Sequence, residues 1–528
     1  MQSREEDGRL ALFRAASIGA ILAAFVLVRF PLLTKEASVR GWNGDTAIFG
    51  LMAKKIHDGR GFDVFFWGQN YMGPLTPALA AAIRKSVLDP AGAGEEGGPI
   101  SLRLASMGEI GFGICLYFLG LTRLFGRVIG AAAGLWLAIG PPFFIRLSAV
   151  PKGPEMSFAL GSVLFFLAAG ALTRPRPFLD RPSGHFAFGL LAGLGWWMNQ
   201  TTVFVLLPVA MLVLFRSAPF RGFLRVRFNR ETDPPTERSS RFLRGWARFL
   251  TPVLSGVVLG YAPVWMGRLA GWYEPALGPV VPPPPSSGPL SRFVRFAGED
   301  FWRIVGLDGL APPRVLAAAA LVVLCLLLLG YRRRLSRALR TEPPNFEGLD
   351  LVVAIAASGA AALVLRDVHP TQFRFMTPVL PAALALLLVS FAEAARLFRR
   401  RIPAVFVVLA WGGIALLTAV FLSRQARGVV QSLLEEPDPR GPLRAIAEGG
   451  YTVCHAGYDT AYTLQFLSDE RVRFIPYHSP DRNRTLSAEL RSIPGPQCLV
   501  TDDGVVRRWL PSDAAQEGGP ARLREQKR

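Results

Sequence analysis

Four stretches of the chain bring carboxylates, cations and aromatic rings together with the glycines and prolines of turns. Asp45 lies in GWNGDTAIFG, and Trp67, Gln69, Asn70 and Tyr71 lie in FFWGQNYMGP. Lys152 and Glu155 share AVPKGPEM, and His369 and Arg374 share HPTQFRFMTP. A carboxylate can take the proton of a hydroxyl, while lysine and arginine can neutralise a departing phosphate, arginine bidentately. The flat rings of Trp67 and Tyr71 suit stacking on the apolar face of a sugar. Together these residue types describe a site that activates a hydroxyl beside a phosphate.

Plainer roles compete at every position. Asp45 stands at the start of a helical pattern and suits an N-cap. Trp67 and Tyr71 suit anchors at a membrane interface. Glu155 complements a helix N-terminus, Lys152 reads as a loop charge, Arg374 can snorkel, and His369 suits a solvated loop. Glu109 falls inside an apolar block, where a carboxylate is costly in lipid and must face protein.

The elements that must hold these residues are apolar blocks. The chain has 528 residues, 51% apolar and only 19% charged, with a mean hydropathy of +0.32. A soluble protein carries roughly 25% charged residues, and apolar runs of about 20 residues are the mark of membrane spans. The composition therefore excludes a soluble enzyme, a fibrous protein and a disordered chain. Expected helices cover 11–33, 102–121, 128–147, 155–172, 186–198, 200–215, 247–267, 314–330, 350–365, 375–395 and 402–422. The first is too long for a signal-peptide core and reads as a retained helix.

The formal charge of +20 is scattered in short arginine clusters between the blocks, so nucleic acid is not an expected partner. Basic loops stay in the cytoplasm, and one choice puts every cluster there. The stretch 186–215 must be two short helices split at Asn199–Gln200, which keeps the loop holding Arg216, Arg221, Arg225, Arg227 and Arg230 inside. The remaining clusters, from Arg123 and Arg127 to Arg399–Arg401, then fall on the same side. About eleven spans result, with the N-terminus inside and the C-terminus outside. Segments 34–101, 148–154, 268–313 and 366–374 face outward, and so do all four polar stretches.

Two soluble-looking regions flank this bundle. The long first outer loop, 34–101, has helical spacing from Thr46 to Asp58 and a second apolar stretch, Leu75 to Leu88, too short to span. The latter is expected along the membrane surface. After the membrane part, 1–423, comes a tail, 424–528, whose runs YTVCHAGY, RVRFIPYH and QCLVTDD read as strands of a small α/β domain. A disulfide between Cys454 and Cys498 is left open, since it requires an oxidising compartment.

Taken in order, the long first outer loop opening with an aspartate and then W-G-Q-x-Y-x-G resembles the GT-C superfamily of glycosyltransferases. The likeness is closest to bacterial members related to protein O-mannosyltransferases and lipid A aminoarabinose transferases. FGLLAGLGWWMNQTTVFVLLP, as paired short helices, and QFRFMTPVLP, as the start of a late helix, agree with it. One departure is clear: many relatives carry Asp-Glu in the first loop, whereas Asp45 is followed by Thr46. The resemblance implies a polytopic α-helical enzyme with a periplasmic tail, in the inner membrane of a bacterium. It would move a sugar from a polyprenyl-phosphate donor to an envelope acceptor. Asp45 would then be the base, and Glu155 a second acid orienting the acceptor or a metal. Lys152, Arg374 and His369 would contact the donor phosphate, and Trp67, Gln69 and Tyr71 the sugar or acceptor. No cofactor is fixed by these residues, and a divalent ion is left open. The rival class is a transporter or flippase of lipid-linked saccharides, which would place ionisable groups at mid-membrane; a non-catalytic sensor of envelope lipids is a third.

Overall fold

The computed structural model describes residues 2–69, 72–88, 97–173, 181–217, 235–270, 288–307, 347–366, 376–399, 404–477, 484–493 and 495–509, with a few isolated positions from 310 to 322. Of the sequence-derived site residues, Tyr71, His369 and Arg374 lie outside that set, as does nearly all of the expected helix 314–330.

Helices dominate. The first half holds α1 (Gln2–Arg29), α2 (Lys35–Ser38), α3 (Gly44–His57), α4 (Leu75–Ile83), α5 (Gly97–Phe125), α6 (Arg127–Ile139), α7 (Pro142–Ala149) and α8 (Pro154–Thr173). Then come α9 (Pro182–Met198), α10 (Val203–Arg216), α11 (Pro235–Gly260), α12 (Ala262–Leu269), α13 (Pro289–Arg295) and α14 (Phe301–Val305). The bundle closes with α15 (Gly348–Arg366), α16 (Leu380–Arg399) and α17 (Ala404–Glu435).

Three helices are long and apolar enough to cross a membrane, at Gly8–Leu33, Gly98–Phe125 and Pro154–Thr173. Two bent pairs, α6 with α7 (62°) and α11 with α12 (52°), raise the number to five if each is one span. The chain is thus a helical membrane protein, and the described residues, which leave out nearly all of 314–330, hold three full-length spans, or five with the bent pairs, against the roughly eleven expected. At the first bend Gly140 has φ +84°, and Pro141 lacks the N–H a continuing helix needs. The break between α9 and α10 falls at Asn199, whose extended backbone (φ −165°, ψ 121°) is held by its own side chain accepting from Thr201 N–H. That is the position where the sequence called for a split.

α9 and α11 are packed backbone on backbone. Gly189 and Gly193 of α9 meet Gly256 and Gly260 of α11; a Cβ on Gly189 would lie 2.0 Å from the Val253 carbonyl oxygen, and one on Gly260 2.3 Å from that of Leu190. Small residues four apart on both helices permit this approach, a packing mode that works where lipid supplies no hydrophobic drive.

The C-terminal segment adds α18 (Gly441–Glu448), β1 (Val453–Ala456), α19 (Tyr458–Leu467), β2 (Arg473–Pro476), α20 (Arg484–Arg491), β3 (Gln497–Val500) and β4 (Val506–Arg508). The sheet order is β2-β1-β3-β4, with β1 parallel to β2 and β3, and β4 antiparallel to β3. Central β1 is buried throughout, as a parallel strand covered on both faces must be. Cys454 and Cys498 stand opposite each other in register and are joined by a disulfide. α17 runs without a break to Glu435, across the expected boundary at 423/424.

Candidate active site

The segment that follows α1 is stapled down at its start. Arg103 of α5 is fully buried and donates to the carbonyls of Leu32, Ser38 and Arg40. Arg40 in turn donates to the carbonyls of Leu434 and Glu436 at the end of α17. From this anchor the chain enters α3, whose N-cap is Asn43, accepting from Thr46 N–H at 3.0 Å. Asp45 is therefore not the cap. It lies in the first helical turn, half-buried, and its Oδ1 accepts from the Tyr458 hydroxyl at 2.7 Å.

Thr46 joins this turn to the next candidate stretch, its hydroxyl donating to the Pro151 carbonyl at 3.1 Å. The loop from Pro151 to Glu155 is folded around the Glu155 carboxylate. Oε1 accepts from Gly153 N–H at 2.8 Å and Oε2 from Lys152 N–H at 3.3 Å. Glu155 is 0% exposed, and Lys152 is half-buried beside it. Gly153 has φ +101°, and a Cβ there would meet Met72 Sδ at 2.4 Å. A glycine is thus required for both the turn and the contact.

Behind Glu155 lies a second carboxylate. The Thr76 hydroxyl donates to Glu109 Oε2 at 2.8 Å and stands 3.5 Å from Glu155 Oε1. Glu109 is 4% exposed, and its other oxygen has no hydrogen-bond partner among the described residues. It does face protein, as its cost in lipid requires. Glu109 also lines an apolar groove of about 360 Å³ between α4, α5 and α8, walled by Leu75, Leu79, Leu104, Phe112 and Leu160. α4 packs against α3 and α5, with Thr76, Ala80 and Ala81 buried.

The second stretch closes on itself, Phe66 N–H donating to the Met72 carbonyl at 2.8 Å. Gly73 N–H then donates to the Met198 carbonyl at 2.8 Å, and Met72 bridges to Asn199. The break between α9 and α10 thus receives the first loop. Trp67 is half-buried, with its indole N–H donating to Asp63 at 3.0 Å, and Lys55 pairs with the same carboxylate at 2.6 Å. Gln69 is 8% exposed, and its side-chain oxygen has no hydrogen-bond partner among the described residues.

The structure so brings together Asp45, Lys152 and Glu155 through the Thr46–Pro151 contact, and places Gln69 next to the strand-like bridge that closes the loop. Sequence reading missed Thr76 and Tyr458. Thr76 carries no signal of its own, since threonine in an apolar helix is common. Tyr458 lies 413 residues from Asp45. Among the described residues no three His, Cys, Asp or Glu side chains stand together as metal ligands.

No family model and no curated protein matches the sequence. Among solved structures, ArnT from Cupriavidus metallidurans in the apo state is similar over 94% of this chain and 93% of that one, at 14% identity and a TM-score of 0.48. An oligosaccharyltransferase from Archaeoglobus fulgidus, tethered to an acceptor peptide, is similar over 89% of this chain, at 13% identity and a TM-score of 0.48. The chain spans 64% of the length of that oligosaccharyltransferase. ArnT bound to undecaprenyl phosphate is similar over 94% of this chain and 93% of that one, at 15% identity and a TM-score of 0.38.

Proposed function

We propose that this chain is a GT-C-type glycosyltransferase that moves a sugar from a polyprenyl-phosphate donor to an envelope acceptor at the outer face of a bacterial inner membrane. Asp45 takes the proton of the acceptor hydroxyl. The freed oxygen bonds to the sugar's anomeric carbon as the bond from that carbon to the phosphate oxygen breaks, and the phosphate leaves with the electron pair. That leaving group needs no general acid; it needs positive charge, which Lys152, Arg374 and His369 supply. Glu155 sets the shape of the loop that carries Lys152. Trp67, Gln69 and Tyr71 hold the sugar or acceptor, and the groove beside Glu109 is wide and apolar enough for a hydrocarbon chain.

The observation that carries this reading is the convergence of Asp45 and the Lys152 loop at the ends of apolar helices. In this reading 1–423 is the membrane part and 424–528 a soluble segment on the outer side. Lipid analysis of a strain lacking the gene tests it. A polyprenyl-phosphate sugar should accumulate while its glycosylated product disappears; an unchanged lipid profile would overturn the proposal. A reporter active only outside the cytoplasm should work when fused after Arg424 and stay silent when fused at Pro235.

A further inference from the structure

The C-terminal segment lies against the helix that carries Asp45. α19 packs along α3, with Phe466 stacked on Trp42 at 4.9 Å between ring centres and 14° between planes. Lys54 pairs with Asp469 at 2.9 Å, and Arg60 pairs with Glu470. Two glycines make this face of α3 flat. A Cβ on Gly50 would lie 2.7 Å from the Phe466 ring, and one on Gly44 would lie 2.5 Å from Cε1 of Tyr458.

At Gly44 the contact turns polar. Asp459 Oδ1 accepts from Gly44 N–H at 2.7 Å, and the neighbouring Tyr458 hydroxyl donates to Asp45 Oδ1 at 2.7 Å. The Tyr458 ring reaches Asp45 across a residue with no side chain to block it. A free aspartate side chain can rotate about two bonds, and a fixed donor on one oxygen removes that freedom.

We propose that Tyr458, from the far end of the chain, is a positioning residue for Asp45: its hydroxyl occupies Oδ1, so that Oδ2 is the oxygen presented to the acceptor. This rests on the reading of Asp45 as the base.

The test is label transfer by the full-length protein in membranes, with radiolabelled undecaprenyl-phosphate hexoses and pentoses as probes. Tyr458→Phe keeps the ring over Gly44 and removes only the donor. It should lower kcat about tenfold or more, the usual weight of a hydrogen bond to a charged group, with KM for the donor unchanged. In an Asp45→Asn background the same change should have no further effect, because the residue it positions is gone. Wild-type kcat for Tyr458→Phe, or an equal loss in both backgrounds, overturns the proposal for Tyr458. Wild-type turnover by Asp45→Asn instead removes the base assignment itself, a separate outcome. A thermal-melting cycle over Asp45→Ala, Tyr458→Phe and the double variant reads the hydrogen bond without any substrate. Its shifts should fall short of additive, and strict additivity overturns the contact.

Discussion

The carboxylate of Asp45 is half-buried at a seam between the first loop and the C-terminal segment, and it accepts from a single side chain among the described residues, Tyr458. The carboxylate of Glu155 is wholly buried and accepts from the N–H groups of Lys152 and Gly153. The two loops touch through Thr46 and Pro151, so the chemical type and the neighbourhood are shared. What differs is what each group has left to give. Glu155 accepts from its own loop through both oxygens and so helps to set the shape of that loop. Asp45 keeps an oxygen and part of its surface available. Neighbouring carboxylates can thus differ in role, one shaping the backbone and the other, in the function proposed above, meeting the reactant.

Substitution should expose that division. Asp45→Asn should lower turnover by about a hundredfold or more, the usual weight of a general base, while thermal melting in detergent stays close to wild type, because Asn43 remains the cap of α3. Turnover near wild type would break the contrast at its active end. Glu155→Ala should show the opposite signature. It leaves buried N–H groups without an acceptor, which costs about 1–3 kcal/mol, visible as a lower melting temperature. Unchanged melting with abolished transfer would mean that Glu155 acts on the substrate after all.

A smaller effect is expected from Asn43→Ala. It removes the cap of the helix that aims Asp45, at about 1 kcal/mol, and should lower melting with only a modest loss of transfer. If transfer instead fell as far as in Asp45→Asn, the first turn of α3 would be part of the chemistry and not just its mount.

The smallest concerns β1, the strand just before Tyr458. His455 Nε2–H donates to Gln497 Oε1 at 2.8 Å, and the imidazole stacks on Trp509 at 3.9 Å. Burial holds its imidazole below the usual histidine range. The folded chain therefore binds this proton less readily than the unfolded chain. The stability it confers is complete above the unfolded value of about 6.5 and is lost as pH falls below it. Melting measured at mildly acidic against neutral pH should show this slope, and His455→Asn should flatten it. An unchanged slope would remove His455 as its source.

Local pattern made part of this legible. Apolar runs located the helices, and the charge of the loop after α10 required the break at Asn199, which the structure has. The bends at Gly140–Pro141 and Tyr261 were missed because each apolar run continues across the break, and hydropathy does not register a change of direction. At the site, Asp45 and the Lys152 loop stood out because polar groups are concentrated there beside apolar helices. Their partners did not. Tyr458 is one tyrosine in a β-rich tail, and nothing in its neighbours says that it will lie over Gly44. Asn43 shows the opposite case. The capping signal was local and present, and the more conspicuous Asp45 drew the attention that belonged to the residue two places earlier.

The glycine seam between α9 and α11 has a consequence in time. Synthesis runs from the N-terminus, so α9 leaves the ribosome with Gly189 and Gly193 already in place, while Gly256 and Gly260 do not yet exist. Until α11 has been made, the grooved face of α9 has only lipid or a chaperone to lie against. A chain released early, anywhere before Gly256, would keep that face bare, and quality control could tell the unfinished protein from the finished one by nothing more than an unfilled groove.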